Sequence, residues 1–188
     1  MNVTLIGMKH CGKTTLGSAL AARWGCPFYD VDRLIEARYA CETGEELSFR
    51  EIFVRHGEDY FRELETNAVC ELYLRECESK GGAVIAVGGG TALNPKVDEL
   101  LSALGLIVYL EVSVEELVAR VTRAGMPAFL DEKAPFDHFA ELYRERAPRY
   151  RRLANLTVNL DGLDAEAALD KLCRAIEQNA PDKHPTSL

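Results

Sequence analysis

The chain lacks several features that would place it in common classes of protein. No apolar run among its 188 residues is long enough to cross a bilayer, which argues against a membrane-spanning protein. Its first residues contain no basic stretch followed by an apolar segment, so we expect no signal peptide and a cytoplasmic location. Basic residues are in deficit, with 22 Lys and Arg against 30 Asp and Glu and a net charge of −8. That charge disfavours nucleic acid and anionic membranes as partners, and we predict neither.

The cysteines give no sign of a metal or disulfide framework. None of the 6 cysteines forms a Cys-x-x-Cys pair, which argues against a zinc site and a redox dithiol, and we expect them to be reduced. The length and the 47% apolar content suit a single domain over residues 1–180, which we expect to be a monomer. Residues 181–188 carry little apolar content and are predicted to form a flexible tail.

A glycine-rich loop near the N-terminus is the strongest positive signal. Residues 7–14 read Gly-Met-Lys-His-Cys-Gly-Lys-Thr, the phosphate-binding pattern Gly-x-x-x-x-Gly-Lys-[Ser/Thr]. The apolar run Val3–Ile6 precedes the loop and the helix-forming segment Lys13–Arg23 follows it, which is the context that the motif needs. Backbone amides and the positive end of the helix bind nucleotide phosphates in such loops. The pattern predicts that Lys13 contacts the β- and γ-phosphates and that the Thr14 hydroxyl binds Mg2+.

Strand-like and helix-like segments alternate along the rest of the chain. The predicted strands are Asn2–Ile6, Pro27–Tyr29, Ala83–Val87, Leu106–Glu111 and Leu156–Asn159. The predicted helices are Lys13–Arg23, Asp32–Ala40, Phe49–His56, Glu58–Glu78, Lys96–Ala103, Val114–Arg123, Asp137–Arg152 and Asp164–Gln178. The alternation predicts an α/β fold in which helices cover both faces of a parallel sheet, with the ligand at the carboxyl ends of the strands.

One connection between helices is longer than a simple turn. Residues 124–136 contain glycine and two prolines, and loops of this length are often lids over a ligand. We interpret the segment as a lid that excludes water during phosphoryl transfer, with a surface connector as the alternative.

Two carboxylates follow the second predicted strand, in Phe28-Tyr29-Asp30-Val31-Asp32. That end of the strand lies beside the phosphate-binding loop in a parallel sheet. Asp30 is therefore a candidate to hold Mg2+ through water, and Asp32 a candidate to orient or deprotonate an acceptor hydroxyl. Aspartate is also a favoured N-cap, so the spacing leaves open whether Asp32 caps the following helix, acts in catalysis, or does both.

Glycines and arginines supply the remaining candidates. Three glycines, residues 88–90, follow a buried strand, where their amides can approach a phosphate or a substrate oxygen closely. Arginine binds carboxylates and phosphates through its two-pronged guanidinium. Arg62 lies near the start of the longest helix, and five arginines crowd the helix after the predicted lid, namely Arg144, Arg146, Arg149, Arg151 and Arg152. The pattern does not choose among these five.

Taken in order, these motifs resemble those of the shikimate kinases, a family of the nucleoside-monophosphate-kinase-like P-loop group. The resemblance covers residues 1–180 and rests on five segments, namely the P-loop, Phe28–Asp32, Gly57–Glu65, Gly88–Gly90 and Glu145–Ala154. It implies a three-layer sandwich with a five-stranded parallel sheet in the order 2-3-1-4-5. It also implies a substrate-binding subdomain at about residues 32–65, and ATP-dependent phosphorylation of the 3-hydroxyl of shikimate in aromatic amino acid biosynthesis, with Mg2+.

The resemblance also implies roles for individual residues. Asp32 would bind the shikimate hydroxyls and act as the base, while Arg62 and Arg146 would clamp the shikimate carboxylate. Gly89 would contribute a backbone amide to the acceptor, with Gly90 beside it. The metal would be bound by Thr14 and, through water, by Asp30. The expected ATP-binding residues are His10, Cys11, Gly12, Lys13, Thr14, Thr15 and Arg120.

The sequence departs from the family pattern at two positions. His10 stands where the family usually has glycine, at a cost of about 1 kcal/mol if its φ is positive. Met126-Pro127-Ala128 stands where the family lid has Arg-Pro-Leu, so the lid arginine that reaches the ATP phosphates is missing. Arg123 or Lys133 is available to replace it, and we assign Arg123 as the catalytic cation.

Two other functions stay open at this stage. One is a kinase for another small carboxylated polyol such as gluconate, because Arg62 and Arg146 indicate a carboxylate without choosing among acceptors. The other is a nucleotide-binding relative in which Met126 has weakened phosphoryl transfer.

Overall fold

The fold is that of a computed structural model, which describes residues 1–77, 81–124 and 135–179. The strands are β1 Val3–Ile6, β2 Phe28–Asp30, β3 Val84–Ala86, β4 Leu106–Glu111 and β5 Leu156–Asn159. The helices are α1 Lys13–Trp24, α2 Val31–Thr43, α3 Phe49–His56, α4 Glu58–Glu76, α5 Asp98–Leu104, α6 Val114–Ala124, α7 Pro135–Leu153 and α8 Ala165–Asn179. Two 3-10 turns, Thr91–Leu93 and Pro95–Val97, lie between β3 and α5.

All strand pairs are parallel, and the sheet has the order β2-β3-β1-β4-β5. This confirms the predicted α/β fold and strand order. Strands β1 and β3 are buried at every residue, as is most of β4, because helices cover both faces of the centre of such a sheet. Strand β1 lies in the middle, with Leu5 in register with Ala86 and Val108. The loop after β1 therefore opens at the centre of the carboxyl edge.

Helices α2, α3 and α4 pack against one another beside β2. They span most of the predicted substrate-binding subdomain, residues 32–65, which is therefore built from consecutive segments of the chain. Helix α3 starts with a capping box, in which the side chains of Ser48 and Glu51 bond each other's backbone amides. Elsewhere in the fold, α6 packs on α7, and α1 packs on α8.

Several predicted boundaries are wrong by a few residues. Helix α2 begins at Val31, because Asp30 is its N-cap, with Oδ1 accepting from the backbone N–H of Asp32 at 3.1 Å. Lys96 lies in a 3-10 turn and not in α5, since Pro95 starts a separate short turn. Helix α7 starts at Pro135, inside the predicted lid, at a position where proline is well tolerated.

Two predicted segments fall on residues that the structure does not describe. Residues 125–134 of the lid, which include Met126 and Lys133, and the tail 181–188 lie outside the described residues. Within the described ranges, no helix combines the length and the apolar character needed to span a bilayer.

Candidate active site

The loop between β1 and α1 has the geometry of a phosphate cradle. Gly12 takes a left-handed conformation, with φ of 105°, and turns the chain into α1. The ammonium of Lys13 lies across the loop and donates hydrogen bonds to the carbonyls of Gly7 and Met8, each at 3.0 Å. The side chain of Cys11 is fully buried, so this residue can offer only its backbone to a nucleotide. Lys13 is thus placed to contact a phosphate bound in the loop.

A hydroxyl and a carboxylate meet beside the start of α1. The Thr14 Oγ1 donates to Asp30 Oδ2 at 2.8 Å, while the other oxygen of Asp30 caps α2. Mg2+ prefers oxygen ligands and is usually held by one or two protein oxygens together with water and phosphate oxygens. The pair predicted as the metal site is therefore brought together, and its oxygens fit this cation.

Asp32 lies in the first turn of α2, and the alternative in which it caps that helix is wrong, because Asp30 fills the cap position. Its carboxylate lies against the chain after β3, where a Cβ added to Gly88 would be 2.6 Å from Oδ1. Burial, together with the nearby charge of Asp30, raises the pKa of Asp32 to about 6, although Lys13 opposes the shift. A half-buried carboxylate with such a pKa is suited to accept a proton near neutral pH.

Residues 88–94, here called the glycine segment, also meet Arg62 of α4. A Cβ on Gly90 would be only 2.9 Å from Arg62 Nη1, so glycine permits this close approach. The guanidinium donates to Glu65 Oε2 at 2.7 Å and to Glu58 Oε1 at 3.1 Å. Because the carboxylate of Glu65 is 1% exposed and also accepts from the Thr91 hydroxyl at 2.6 Å, it fixes Arg62 against the glycine segment.

Arg146, on α7, is the second arginine predicted to clamp the acceptor. Its Nε is buried and has no hydrogen-bond partner among the described residues. Buried donors are nearly always satisfied in folded proteins, so this nitrogen is open to a bound acceptor such as a carboxylate. Of the five arginines on α7, Arg149 and Arg151 are paired with the carboxylates of Asp98 and Glu111. This distinction could not be made from the sequence.

A cavity of about 590 Å³ opens on the other side of the phosphate-binding loop. Its lining comes from the loop, α6 and the chain from Leu160 to Ala168, and includes His10, Cys11, Gly12, Thr15, Arg120 and Arg123. Arg120 donates to the Cys11 carbonyl at 3.0 Å and to the Leu160 carbonyl at 3.3 Å, and so connects the phosphate-binding loop to the chain that follows β5. The side chain of Arg123 is 68% exposed and donates to Glu116 at 3.2 Å. Five of the seven residues predicted to bind ATP line this cavity, which we call the nucleotide cavity, namely His10, Cys11, Gly12, Thr15 and Arg120.

His10 has the strained backbone that its position suggested. Its φ is 67°, a left-handed conformation that costs a non-glycine residue about 1 kcal/mol. Its ring packs edge-on against that of Phe139, with the ring centres 6.3 Å apart, and its buried Nε2 has no hydrogen-bond partner among the residues that the structure describes. Burial and the charge of Lys13 lower the pKa of this imidazole. Both the strain and the unsatisfied nitrogen oppose folding.

We therefore expect His10→Gly to raise the free energy of unfolding by about 1 kcal/mol. Glycine adopts the left-handed conformation without strain, and the unsatisfied nitrogen is removed, which together outweigh the contact with Phe139. Urea unfolding followed by circular dichroism measures the change. A variant with a lower free energy of unfolding would show that the ring contact dominates.

Three residues at the site were missed by the analysis of the sequence. The pairing of Glu65 with Arg62 could have been predicted, since an acidic residue three positions after an arginine on a helix is expected to pair with it. Thr91 gave no signal, because its bond to Glu65 joins segments 26 positions apart. Tyr150 also gave none, since its hydroxyl donates to the carbonyl of Gly89 across the fold.

The fold and the site define a P-loop phosphotransferase. Three features lie at one edge of the parallel sheet. They are the phosphate cradle after the central strand, the Thr14–Asp30 oxygen pair suited to Mg2+, and the Asp32 carboxylate with its raised pKa. The comparisons with known proteins agree with this class. The family model described as shikimate kinase matches residues 9–177.

Individual relatives and solved structures are similar over nearly the whole chain. The chain is 39% identical to the shikimate kinase of Thiobacillus denitrificans over 84% of this chain and 80% of that protein. It is 34% identical to shikimate kinase 1 of Escherichia fergusonii over 95% of this chain and 97% of that protein. The structure of shikimate kinase from Acinetobacter baumannii in complex with shikimate matches with a TM-score of 0.80 and 30% identity. The match covers 96% of this chain and 95% of that one. The chain belongs to the shikimate kinase family and is a kinase.

Proposed function

We propose that this kinase transfers the γ-phosphoryl group of ATP to the 3-hydroxyl of shikimate, giving shikimate 3-phosphate for aromatic amino acid biosynthesis. The observation that carries the proposal is the position of Asp32, whose half-buried carboxylate lies against the same glycine segment that Arg62 contacts. We further propose that it acts as a monomer in the cytoplasm, where ATP is available.

In this proposal the acceptor hydroxyl donates its proton to Asp32 as its oxygen attacks the γ-phosphorus. Lys13 lies across the loop and stabilises the charge that develops on the transferred phosphoryl group. Thr14 and, through water, Asp30 would hold Mg2+, which neutralises charge on the β- and γ-phosphates when it is bound. The departing ADP keeps its contacts with the loop amides and with the cavity beside Arg120.

The acceptor carboxylate is assigned to Arg62 and Arg146. Two guanidinium groups on different helices fix both the position and the orientation of a carboxylate. The amides of Gly89 and Gly90 add donors on the side of the glycine segment. The relative from Acinetobacter baumannii was solved in complex with shikimate, which supports this acceptor over an open-chain acid such as gluconate.

A coupled assay of ADP release tests the proposal directly. Mg-ATP is supplied alone, with shikimate, or with gluconate at the same concentration. We expect release that depends strongly on shikimate and stays at the background level with gluconate. Release that responds only to gluconate would reassign the acceptor. ATP binding without release under any condition would instead support a nucleotide-binding relative in which transfer is weakened.

Arg123 is proposed to supply part of the charge that the missing lid arginine provides in the family. We expect Arg123→Ala to lower turnover about tenfold and to leave the KM for shikimate unchanged, because its side chain lines the nucleotide cavity and not the acceptor side. The loss should stay below the roughly 10³-fold of a fully positioned arginine finger, since Arg123 is largely exposed and paired with Glu116.

Steady-state kinetics with Arg174→Ala as the control measure the effect of Arg123. Arg174 is an exposed arginine of α8 outside the nucleotide cavity, so its loss should leave turnover unchanged. Wild-type turnover in Arg123→Ala would reject the assignment. Lys133, which lies outside the described residues, would then be the next residue to replace.

A further inference from the structure

The side of the glycine segment opposite α4 is bonded to α7. The Tyr150 hydroxyl donates to the carbonyl of Gly89, and Arg149 Nε donates to the carbonyl of Ala92 at 3.0 Å. Arg149 is itself paired with Asp98 at the start of α5. Two adjacent residues of α7 therefore bind backbone carbonyls of the segment that faces the acceptor.

The bond from Tyr150 sets the orientation of a particular peptide unit. The carbonyl of Gly89 and the N–H of Gly90 belong to the same planar group, and in a trans peptide they point in opposite directions. Because the carbonyl is drawn toward Tyr150, the N–H of Gly90 is turned away from α7. Within the described part of the chain, the amides of Gly89 and Gly90 donate no hydrogen bond to the protein, so both are available to a ligand.

Glycine makes this control necessary. The Gly89–Gly90 peptide is the central peptide of a turn that is closed by the hydrogen bond from the Thr91 N–H to the Gly88 carbonyl at 3.1 Å. Because both residues are glycines, this peptide can flip within the turn without steric penalty, so a further bond is needed to fix the direction of its N–H. The substrate amide assigned to this peptide lies next to Arg62, since Gly90 packs against that guanidinium. A rotated peptide would present a carbonyl oxygen where a donor is needed for an acceptor carboxylate or hydroxyl.

The surroundings of Tyr150 keep its hydrogen bond to the Gly89 carbonyl in place. Its side chain is fully buried and its ring packs on Tyr109 of β4, with the ring centres 5.2 Å apart. Burial raises the pKa of Tyr150, so its hydroxyl stays protonated and donates at all physiological pH values. Tyr150 also lies one helical turn after Arg146, on the same face of α7, so the bond fixes Arg146 relative to Gly90.

We propose that Tyr150 is a positioning residue for the acceptor. It does not touch shikimate. Its hydroxyl orients the Gly89–Gly90 peptide and sets the distance between Arg146 on α7 and the glycine segment that adjoins Arg62. The inference rests on the proposed function, since it concerns the same acceptor site.

Tyr150→Phe tests the inference, because it removes one hydroxyl and keeps the ring packed on Tyr109. We expect the KM for shikimate to rise about tenfold, the effect of losing one well-placed hydrogen bond. Turnover should fall as well, while the KM for ATP changes less than about twofold, because the nucleotide cavity is untouched. A purely structural role would lower the unfolding midpoint without separating the two KM values.

Tyr109→Phe is the matched control. It removes a buried hydroxyl from the adjacent ring, and that hydroxyl makes no hydrogen bond to the glycine segment among the described residues. We expect wild-type KM values for both substrates. Calorimetric titration of shikimate into each variant gives a readout that does not depend on turnover.

A second variant covers the case in which Tyr150→Phe folds poorly. Arg149→Met releases the same segment at Ala92, and we expect a rise of the KM for shikimate in the same direction. Wild-type shikimate affinity in folded Tyr150→Phe, or in Arg149→Met if the first variant unfolds, would overturn the positioning role while leaving the proposed function intact. Absence of shikimate binding and turnover in the wild-type protein would overturn the proposed acceptor, and this inference with it.

Discussion

Replacing Asp32 with asparagine is expected to lower turnover by about 10²- to 10⁴-fold, the usual contribution of a general base. Asparagine has nearly the same shape as aspartate and keeps the contact with Gly88, so substrate binding should change much less than turnover. What is lost is the ability to take the proton from the acceptor hydroxyl. The same variant should be more stable than the wild-type protein, which separates the loss of activity from misfolding.

The expected gain in stability follows from the direction of the pKa shift. The carboxyl of Asp32 titrates at about 6 in the folded protein, compared with 3.8 for an unperturbed aspartate. The folded state therefore binds this proton more tightly than the unfolded state does. The contribution of this group is most favourable below pH 3.8 and is lost as the pH rises through about 6. Above that pH the ionised carboxylate destabilises the fold by at most about 3 kcal/mol, which asparagine avoids.

The same pKa predicts the pH dependence of the wild-type reaction. Because the base must be ionised, kcat/KM for shikimate should fall tenfold per pH unit below about pH 6. Turnover assays from pH 5 to 8, together with urea unfolding at pH 7, measure both effects. Asp170→Asn is the control, since Asp170 forms an exposed ion pair with Arg23 away from the site. Wild-type turnover in Asp32→Asn would exclude Asp32 as the base.

The second large effect is expected at Arg146. We predict that Arg146→Met raises the KM for shikimate about 100-fold, because a half-buried charge that pairs with a ligand carboxylate contributes several kcal/mol to binding. The KM for ATP should be unchanged, since Arg146 is not among the residues that line the nucleotide cavity. The unfolding midpoint should rise slightly, because methionine removes a buried nitrogen that has no protein partner among the described residues.

Arg146 is a better probe of the clamp than Arg62. Removing Arg62 would leave the buried carboxylate of Glu65 without its cation, so binding and stability would fall together. Arg152→Met provides the control for the same chemical change on the same helix, at an exposed position. Equal rises of the KM for shikimate in the two variants would show a general loss of positive charge and not a specific clamp.

Features of the chain that depend on neighbouring residues were predicted more completely than features that depend on distant ones. The P-loop, the strands and most of the helices were predicted because each depends on consecutive residues or on a short period. The order 2-3-1-4-5 came from the resemblance and is confirmed by the strand pairing. The alternative in which Asp32 caps α2 was wrong, because two aspartates only two residues apart were both candidates for one cap position. Only the backbone geometry shows that Asp30 takes it.

By itself the sequence determined that the chain has a phosphate-binding loop on a parallel α/β sheet and which motifs accompany it, since those motifs are contiguous. The tertiary structure decided how the motifs meet. It paired Arg62 with Glu65, left the Nε of Arg146 without a protein partner among the described residues, and joined Tyr150 to Gly89 across 61 positions. The physical reason is that burial and pairing are properties of the packed protein. The pKa of Asp32, for example, depends on burial and on neighbouring charges that the order of residues does not reveal.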